Sequence, residues 1–251
     1  MNLNRKKNKI HRSYLMSCVI KLNKNTILFH HFLQKKQLSL NMSVPYVNVH
    51  SHFVEASNVV GVFQATSNVV NRPFSIGIHP QFSEVFHARV EQLLHPFCIA
   101  IGECGLDKRS KTPMNEQLLI FEKQIECSEK FKLPLILHCV KSWEEVRAIH
   151  RSMNPQMPWI FHGFNKVQLL DQVVSTGIIP SFGVSLCHNE KLLDASMDLD
   201  LTQFFLETDD AKLNVSVVYN VMAKGKKINL DTLKLAQYKQ FKKVFVKWKN
   251  G

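Results

Sequence analysis

Two histidines one residue apart, His50 and His52, close the first apolar run of the main body of the chain. On a strand, residues i and i+2 face the same side, so both imidazoles can reach one metal ion. Later apolar runs end in Glu103, in His138, in His162 and in Glu207-Thr208-Asp209. Ligating side chains therefore recur at the ends of five separate runs. A lone histidine at a strand end is most often structural. Five positions in phase with the runs are hard to explain as packing, because buried carboxylates need partners. Imidazole mixed with carboxylate suits Zn2+, Mn2+ or Fe2+. A carboxylate that can bridge, here Glu103, suits two ions about 4 Å apart. No cysteine belongs to the set, which excludes a Cys-rich structural zinc site.

Such a set needs a scaffold that gathers strand ends. Eight short runs read as strands: Val44–Val49, Val59–Ala65, Phe74–Ile78, Phe97–Gly102, Leu133–Leu137, Pro158–Phe161, Ile178–Phe182 and Gln203–Leu206. Between them lie helical stretches. Asn115–Phe131 carries Leu118, Phe121 and Ile125 at helical spacing, with Asn115 as its expected cap. Glu84–Leu94, Ser142–Ser152, Lys166–Ser175 and Asn189–Ser196 are shorter. Alternation of this kind predicts an α/β fold with a parallel sheet, closed into a (β/α)8 TIM barrel of the metallo-dependent hydrolase type. The barrel should be trimmed, since the first connection, Phe53–Asn58, is too short for a helix. An open doubly wound sheet is the alternative, but no Gly-rich phosphate loop follows the first strand. In a barrel, the C-terminal ends of the strands form the mouth where chemistry sits.

The charge looks like that of a nucleic-acid binder, with 32 basic against 20 acidic residues and a net charge of +12 over 251 residues. Its location changes that reading. Residues 1–42 hold nine basic residues and no acid, and they read as a disordered arm or a mis-called start ahead of Met42. Residues 43–251 then form one barrel domain. Its last part, residues 224–251, holds nine lysines and one acid. There Leu230, Leu233, Phe241, Val244 and Trp248 predict an amphipathic closing helix, Asn229–Trp248. Lys234, Lys239, Lys242, Lys243, Lys247 and Lys249 should form its solvated face. The stretch between, residues 43–223, carries a net charge of −5. Attraction for phosphate must then come from bound cations rather than from broad surface charge. The six cysteines lack a C-x-x-C pair and read as reduced, mostly buried thiols of a cytoplasmic protein. No stretch approaches the roughly 20 apolar residues of a membrane span.

The ordered set His50-Ser51-His52, Gly77-Ile78-His79-Pro80, Ile101-Gly102-Glu103-Cys104-Gly105-Leu106-Asp107, Leu137-His138, Phe161-His162-Gly163-Phe164, Ser181-Phe182-Gly183 and Glu207-Thr208-Asp209 resembles the TatD family of metal-dependent hydrolases. The resemblance runs from about Val44 to Lys249. It implies a nuclease that hydrolyses DNA phosphodiesters, often from the 3′ end, with two divalent ions (Mg2+, Mn2+ or Zn2+). By position, it implies that His50, His52, Glu103 and Asp209 hold one ion, and Glu103, His138 and His162 the other. Asp209 would orient the attacking water or take its proton, with Glu103 bridging. His79, Lys108 and Lys141 would face the substrate phosphate. The chain departs from the family pattern at Asn48, where an Asp is common. It departs again at Lys108, where an aromatic is common, and at Lys141, which stands one place after the usual Arg. The expected partner is DNA, single-stranded or at 3′ ends, with no membrane and the protein a monomer. Two alternatives remain: a metal-dependent phosphoesterase or amidohydrolase for a small molecule, and a non-catalytic nucleic-acid binder using its basic ends.

Overall fold

Eight parallel strands follow one another around the sheet in sequence order. They are β1 (Tyr46–Ser51), β2 (Val59–Gln64), β3 (Phe74–Ile76), β4 (Cys98–Asp107), β5 (Leu135–Val140), β6 (Trp159–Phe161), β7 (Ile179–Phe182) and β8 (Phe205–Leu206). A computed structural model describes residues 44–65, 71–82 and 90–248, within a unit spanning Val44–Gly251. The basic leader lies outside the described residues. So does most of the helix expected over Glu84–Leu94, of which a single turn, α1 (Val90–Leu93), is described.

The sheet closes where β1 meets the chain just after β8. Asp209 N–H donates to the His50 carbonyl at 3.1 Å, and His52 N–H donates to the Asp209 carbonyl at 3.1 Å. Asn48 reinforces this seam. Its Nδ2 donates to Thr208 Oγ1 at 2.7 Å, and its Oδ1 accepts from Thr208 N–H at 3.1 Å. An amide at this position can both donate and accept, which a carboxylate cannot. As expected, no helix lies between β1 and β2.

Helices α2 (Met114–Phe131), α3 (Trp143–Met153), α4 (Leu170–Ser175), α5 (Ser185–His188), α6 (Glu190–Ser196), α7 (Ser216–Gly225) and α8 (Leu230–Val244) follow in chain order. The start of α2 corrects the sequence expectation. Pro113 stands at the cap without a side-chain bond, and Asn115 lies inside the first turn. Proline's fixed φ suits a helix start, and its N–H would be unpaired there anyway. By contrast, Asn189 caps α6 as its residue type predicts, its side chain accepting from Leu192 N–H. Helix α7 was not anticipated. Its sequence, SVVYNVMAKG, is too short and too apolar to show a clear polar face.

Two apolar layers hold the barrel. The outer one joins the strands to the helices through Phe74, Leu106, Phe121, Leu135, Trp159 and Phe182. The inner one fills the end of the barrel away from the mouth with Val47, Val49, Val62, Ile99, Ile136, Ile160 and Phe205, and α8 closes it with Phe241, Val244 and Phe245. Full burial of such side chains contributes roughly 1.5–3 kcal/mol each.

The closing helix is less solvated than its lysines suggest. Lys234 is buried, with its ammonium 4.7 Å from the centre of the Tyr46 ring. Lys247 donates to the carbonyls of Leu93 at 2.8 Å and His95 at 3.0 Å. These two lysines secure structure, while Lys239, Lys242 and Lys243 remain exposed and Lys249 lies outside the described residues. Gln237 and Gln240 reach from α8 to the carbonyls of Leu201, Phe204 and Thr202, pairing backbone just before β8. No described helix is long and apolar enough to cross a membrane.

Candidate metal centre

Two irregularities in the sheet aim the candidate ligands. Between Asn48 and Ser51, β1 spans three steps while β2 spans two, from Gly61 to Phe63. The extra residue changes the alternation. Val47 and Val49 fill the inner layer, and yet His50 also faces inward, above them. A second extra residue, Glu103, lies in β4, where Gly102 pairs with Ile136 and Cys104 already pairs with Leu137. Such bulges turn a side chain away from its regular direction, here toward the barrel axis. Gly105 follows at φ 140, where an added Cβ would stand 2.0 Å from the His138 carbonyl oxygen. Only glycine allows β4 and β5 to approach this closely.

Around Glu103 the donors converge. His162 Nε2 lies 2.9 Å and His50 Nε2 3.2 Å from Glu103 Oε1. Asp209 Oδ1 approaches His50 Nε2 at 3.3 Å and His52 Nε2 at 3.5 Å. His52 Nε2 is 3.8 Å from Glu103 Oε2. On the other side, His138 Nδ1 lies 3.2 Å from His162 Nε2 and 3.2 Å from His79 Nε2. Two compact donor groups result: His50, Glu103, His162 and Asp209, and then His79, Glu103 and His138, the donor atoms within each lying within 4.8 Å of one another.

All the expected ligands lie around Glu103: His162 Nε2 stands between the two groups, near both Glu103 and His138, His79 joins Glu103 and His138, and His52 lies at the rim beside Asp209. Lys108 forms an ion pair with Glu145 Oε1 at 2.5 Å. Lys141 follows β5 in a left-handed conformation, φ 54, and with Lys108 lines a shallow surface cavity of about 310 Å³.

Two carboxylates at the site went unassigned in the sequence reading. Asp107 is buried and approaches His138 Nε2 at 3.4 Å. It lies four residues after Glu103 on the same strand, past the bulge. Glu207 is fully buried, accepts from Gly163 N–H at 2.5 Å and lies 3.8 Å from His162 Nδ1.

Helix α2 holds two of the loops that carry these residues. Gln124 accepts from Ile78 N–H at 2.7 Å and donates to the Ile78 carbonyl at 3.1 Å, fixing the backbone next to His79. One helical repeat earlier, Gln117 does the same for Asp107, at 2.8 and 3.1 Å.

The electrostatics divide the site. Burial disfavours a charge on His50, but the nearby carboxylates of Asp209 and Glu103 outweigh that and push its pKa up to about 10. Burial likewise opposes ionised Glu103, yet His162 and His50 hold its carboxyl far below the usual range. Asp209 behaves the same way through His50 and His52. His138 moves in the opposite direction, down to about 4, through burial and the neighbouring His162 and His79. His79 is lowered too, first by burial. Burial raises Glu207.

The donor set fits a divalent cation. Both ring nitrogens of buried His50, although close to carboxylates, have no partner with hydrogen-bond geometry, and the same is true of His162 Nδ1 and Glu207 Oε2. Unpaired buried nitrogens are costly, and His50 Nε2 is one that lies beside both Glu103 and Asp209, where a cation would satisfy it. Mixed imidazole and carboxylate ligands suit Zn2+, Mn2+ or Mg2+ according to their balance. The thiols are not part of this chemistry. Cys104 is buried with its pKa raised, and burial pushes Cys139 up to about 12.

Comparison with known proteins places this arrangement. The family profile described as TatD related DNase matches residues 21–246. The human protein named 3'-5' RNA nuclease TATDN2 is 34% identical over 88 residues, which cover 32% of this chain and 12% of that protein. The 3'-5' ssDNA/RNA exonuclease TatD of Rahnella sp. is 30% identical over 146 residues, covering 53% of this chain and 55% of that one. The matched part thus spans about half or less of these relatives. Among solved structures, the Escherichia coli TatD homologue YJJV superimposes with a TM-score of 0.69 at 19% identity, over 82% of this chain and 99% of that one.

Proposed function

The chain belongs to the TatD related DNase family, and from that membership and the mouth geometry we propose that it is a divalent-cation-dependent hydrolase of nucleic-acid phosphodiesters, working from 3′ ends. One observation carries the reading: two donor groups share Glu103 at the mouth of the barrel, and they surround buried imidazole nitrogens that have no hydrogen-bond partner. His50, Glu103, His162 and Asp209 would hold a first ion, and His79, Glu103 and His138 a second. His52 stands at the rim, where it could add a ligand to the first. The bound ions supply Lewis-acid activation of water and neutralise charge on the phosphate oxygens.

The chain's own residues do the rest. Asp209, one-third exposed and held ionised, orients the attacking water and accepts its proton. Asp107 fixes the ring of His138, and Glu207 stands behind His162, as partners behind metal-bound histidines commonly do. Lys108 and Lys141, beside the mouth, contact substrate phosphates. The five free cysteines among the described residues suit a reducing compartment such as the cytoplasm. Because the Rahnella relative is a named ssDNA/RNA exonuclease, the substrate class is single-stranded nucleic acid, with DNA the first to test.

The test is direct. Oligonucleotides labelled at the 5′ end are incubated with the full chain and Mn2+ or Mg2+. Stepwise shortening from the 3′ end that stops with a chelator is the expected result. Turnover of a small phosphoester with every nucleic acid left intact would move the assignment to a small-molecule phosphoesterase. Binding without any cleavage would move it to a non-catalytic binder.

A further inference from the structure

Phe53 directly follows the rim histidine His52, and its ring is 38% exposed at the mouth. It is not loosely placed. Ser51 Oγ accepts from Phe53 N–H at 3.1 Å and donates to the Phe53 carbonyl at 3.0 Å, which pins the backbone in a tight turn. Lys212, three residues past Asp209, sets its ammonium over the ring at 5.4 Å from the centroid. A single exposed apolar side chain needs no explanation. A fixed aromatic ring with a cation on it, one residue from the rim histidine of the candidate metal centre, has the parts of a stacking platform for an unpaired base.

We propose that Phe53 and Lys212 form a nucleotide subsite in which the Phe53 ring stacks on an unpaired base beside the scissile phosphate while Lys212 faces the strand backbone. The subsite rests on the hydrolase reading above and specifies what that site selects: a flexible strand whose base can leave its neighbours. A paired end cannot offer a free base to the ring, so the subsite favours single strands over duplex ends. Positive charge from Lys212 meets the phosphates.

The experiment compares the full wild-type chain with Phe53→Ala, Phe53→Trp, Lys212→Gln and, as a distant exposed control, Leu119→Ala on the outer face of α2. Each is assayed on a single-stranded oligonucleotide and on bis(p-nitrophenyl) phosphate, which has no base. An oligonucleotide with 2-aminopurine in its 3′-terminal nucleotides reports stacking by loss of fluorescence. For Phe53→Ala, KM for the oligonucleotide should rise about 10-fold relative to the base-free substrate, with kcat changing far less, and the fluorescence quench should disappear. Phe53→Trp should keep both. Lys212→Gln should weaken binding and flatten its salt dependence. Leu119→Ala should match wild type. Equal losses on both substrates, an unchanged quench in Phe53→Ala, or a loss in Leu119→Ala as large as in Phe53→Ala would overturn the subsite. A wild-type chain that cleaves oligonucleotides while Phe53→Ala behaves identically refutes only this inference. A wild-type chain that cleaves no nucleic acid refutes the hydrolase reading with it.

Discussion

The donor group around β1 and β8 and the one around β3 and β5 share Glu103, yet they hold protons in opposite ways. In the first, two carboxylates surround a fully buried His50 and raise its pKa to about 10. In the second, His138 falls to about 4 and His79 is lowered as well, because burial and neighbouring imidazoles disfavour charge. One group is rich in negative charge and must give up a proton to bind a cation. The other presents neutral imidazoles, ready to coordinate, but contributes only the shared carboxylate of its own. On the proposed reading, one carboxylate would serve two unequal sites: a charge-rich one that binds tightly and a neutral one that binds weakly and exchanges.

The largest test of that contrast removes the shared residue. Glu103→Gln should cost about a thousandfold or more in turnover and abolish binding at both groups, read by activity and by metal analysis of the dialysed protein. Next in size, Asp209→Asn should strip the charge-rich group alone. Turnover should fall by about two to three orders of magnitude, with one weakly held ion still detectable by calorimetry. If it leaves the tighter site intact instead, the ranking of the two groups is reversed. His138→Ala should weaken only the second site, so that high Mn2+ restores much of the activity. Asp107→Asn acts through His138 and should lower affinity for the second ion by about 10- to 100-fold, with little change at the first.

The smallest effect is in the pH dependence. The ion-free His50 carries a proton below about 10, so loading the first group must release it, and affinity there should climb as pH rises toward that value. Because that folded pKa lies above the ordinary 6.5, protonated His50 stabilises the ion-free fold fully below 6.5, and the contribution fades as pH rises through about 10. The second group, with its imidazoles already neutral, should show neither trend above pH 6 or so. Proton release measured by calorimetry in two buffers separates the two.

Much of this was legible in the sequence, and the reasons differ by residue. The ligands were visible because each closes an apolar run, and parallel strands in a barrel bring their ends together. Their partition was not visible. It depends on the bulges at Asn48–Ser51 and at Glu103, which turn His50 and Glu103 inward against the simple alternation of Val47 and Val49. Asp107 was hidden because β4 runs on to Asp107, five residues past Gly102, where the apolar run ends. Lys234 and Lys247 read as a solvated face because periodicity reports which side a residue is on and not whether a ring or a carbonyl awaits it there. In the same way, Gln117 and Gln124 look like ordinary polar residues of a helix, and only the fold shows them gripping the backbone at Asp107 and Ile78.

The claim that two unequal cation sites meet at Glu103 is tested most directly by calorimetric titration of the metal-free full chain with Mn2+, beside the Glu103→Gln variant. The account predicts two binding steps per chain of clearly different affinity, the tighter one releasing a proton, and neither step in Glu103→Gln. One step only in the wild-type chain, or two steps that survive in Glu103→Gln, would contradict it.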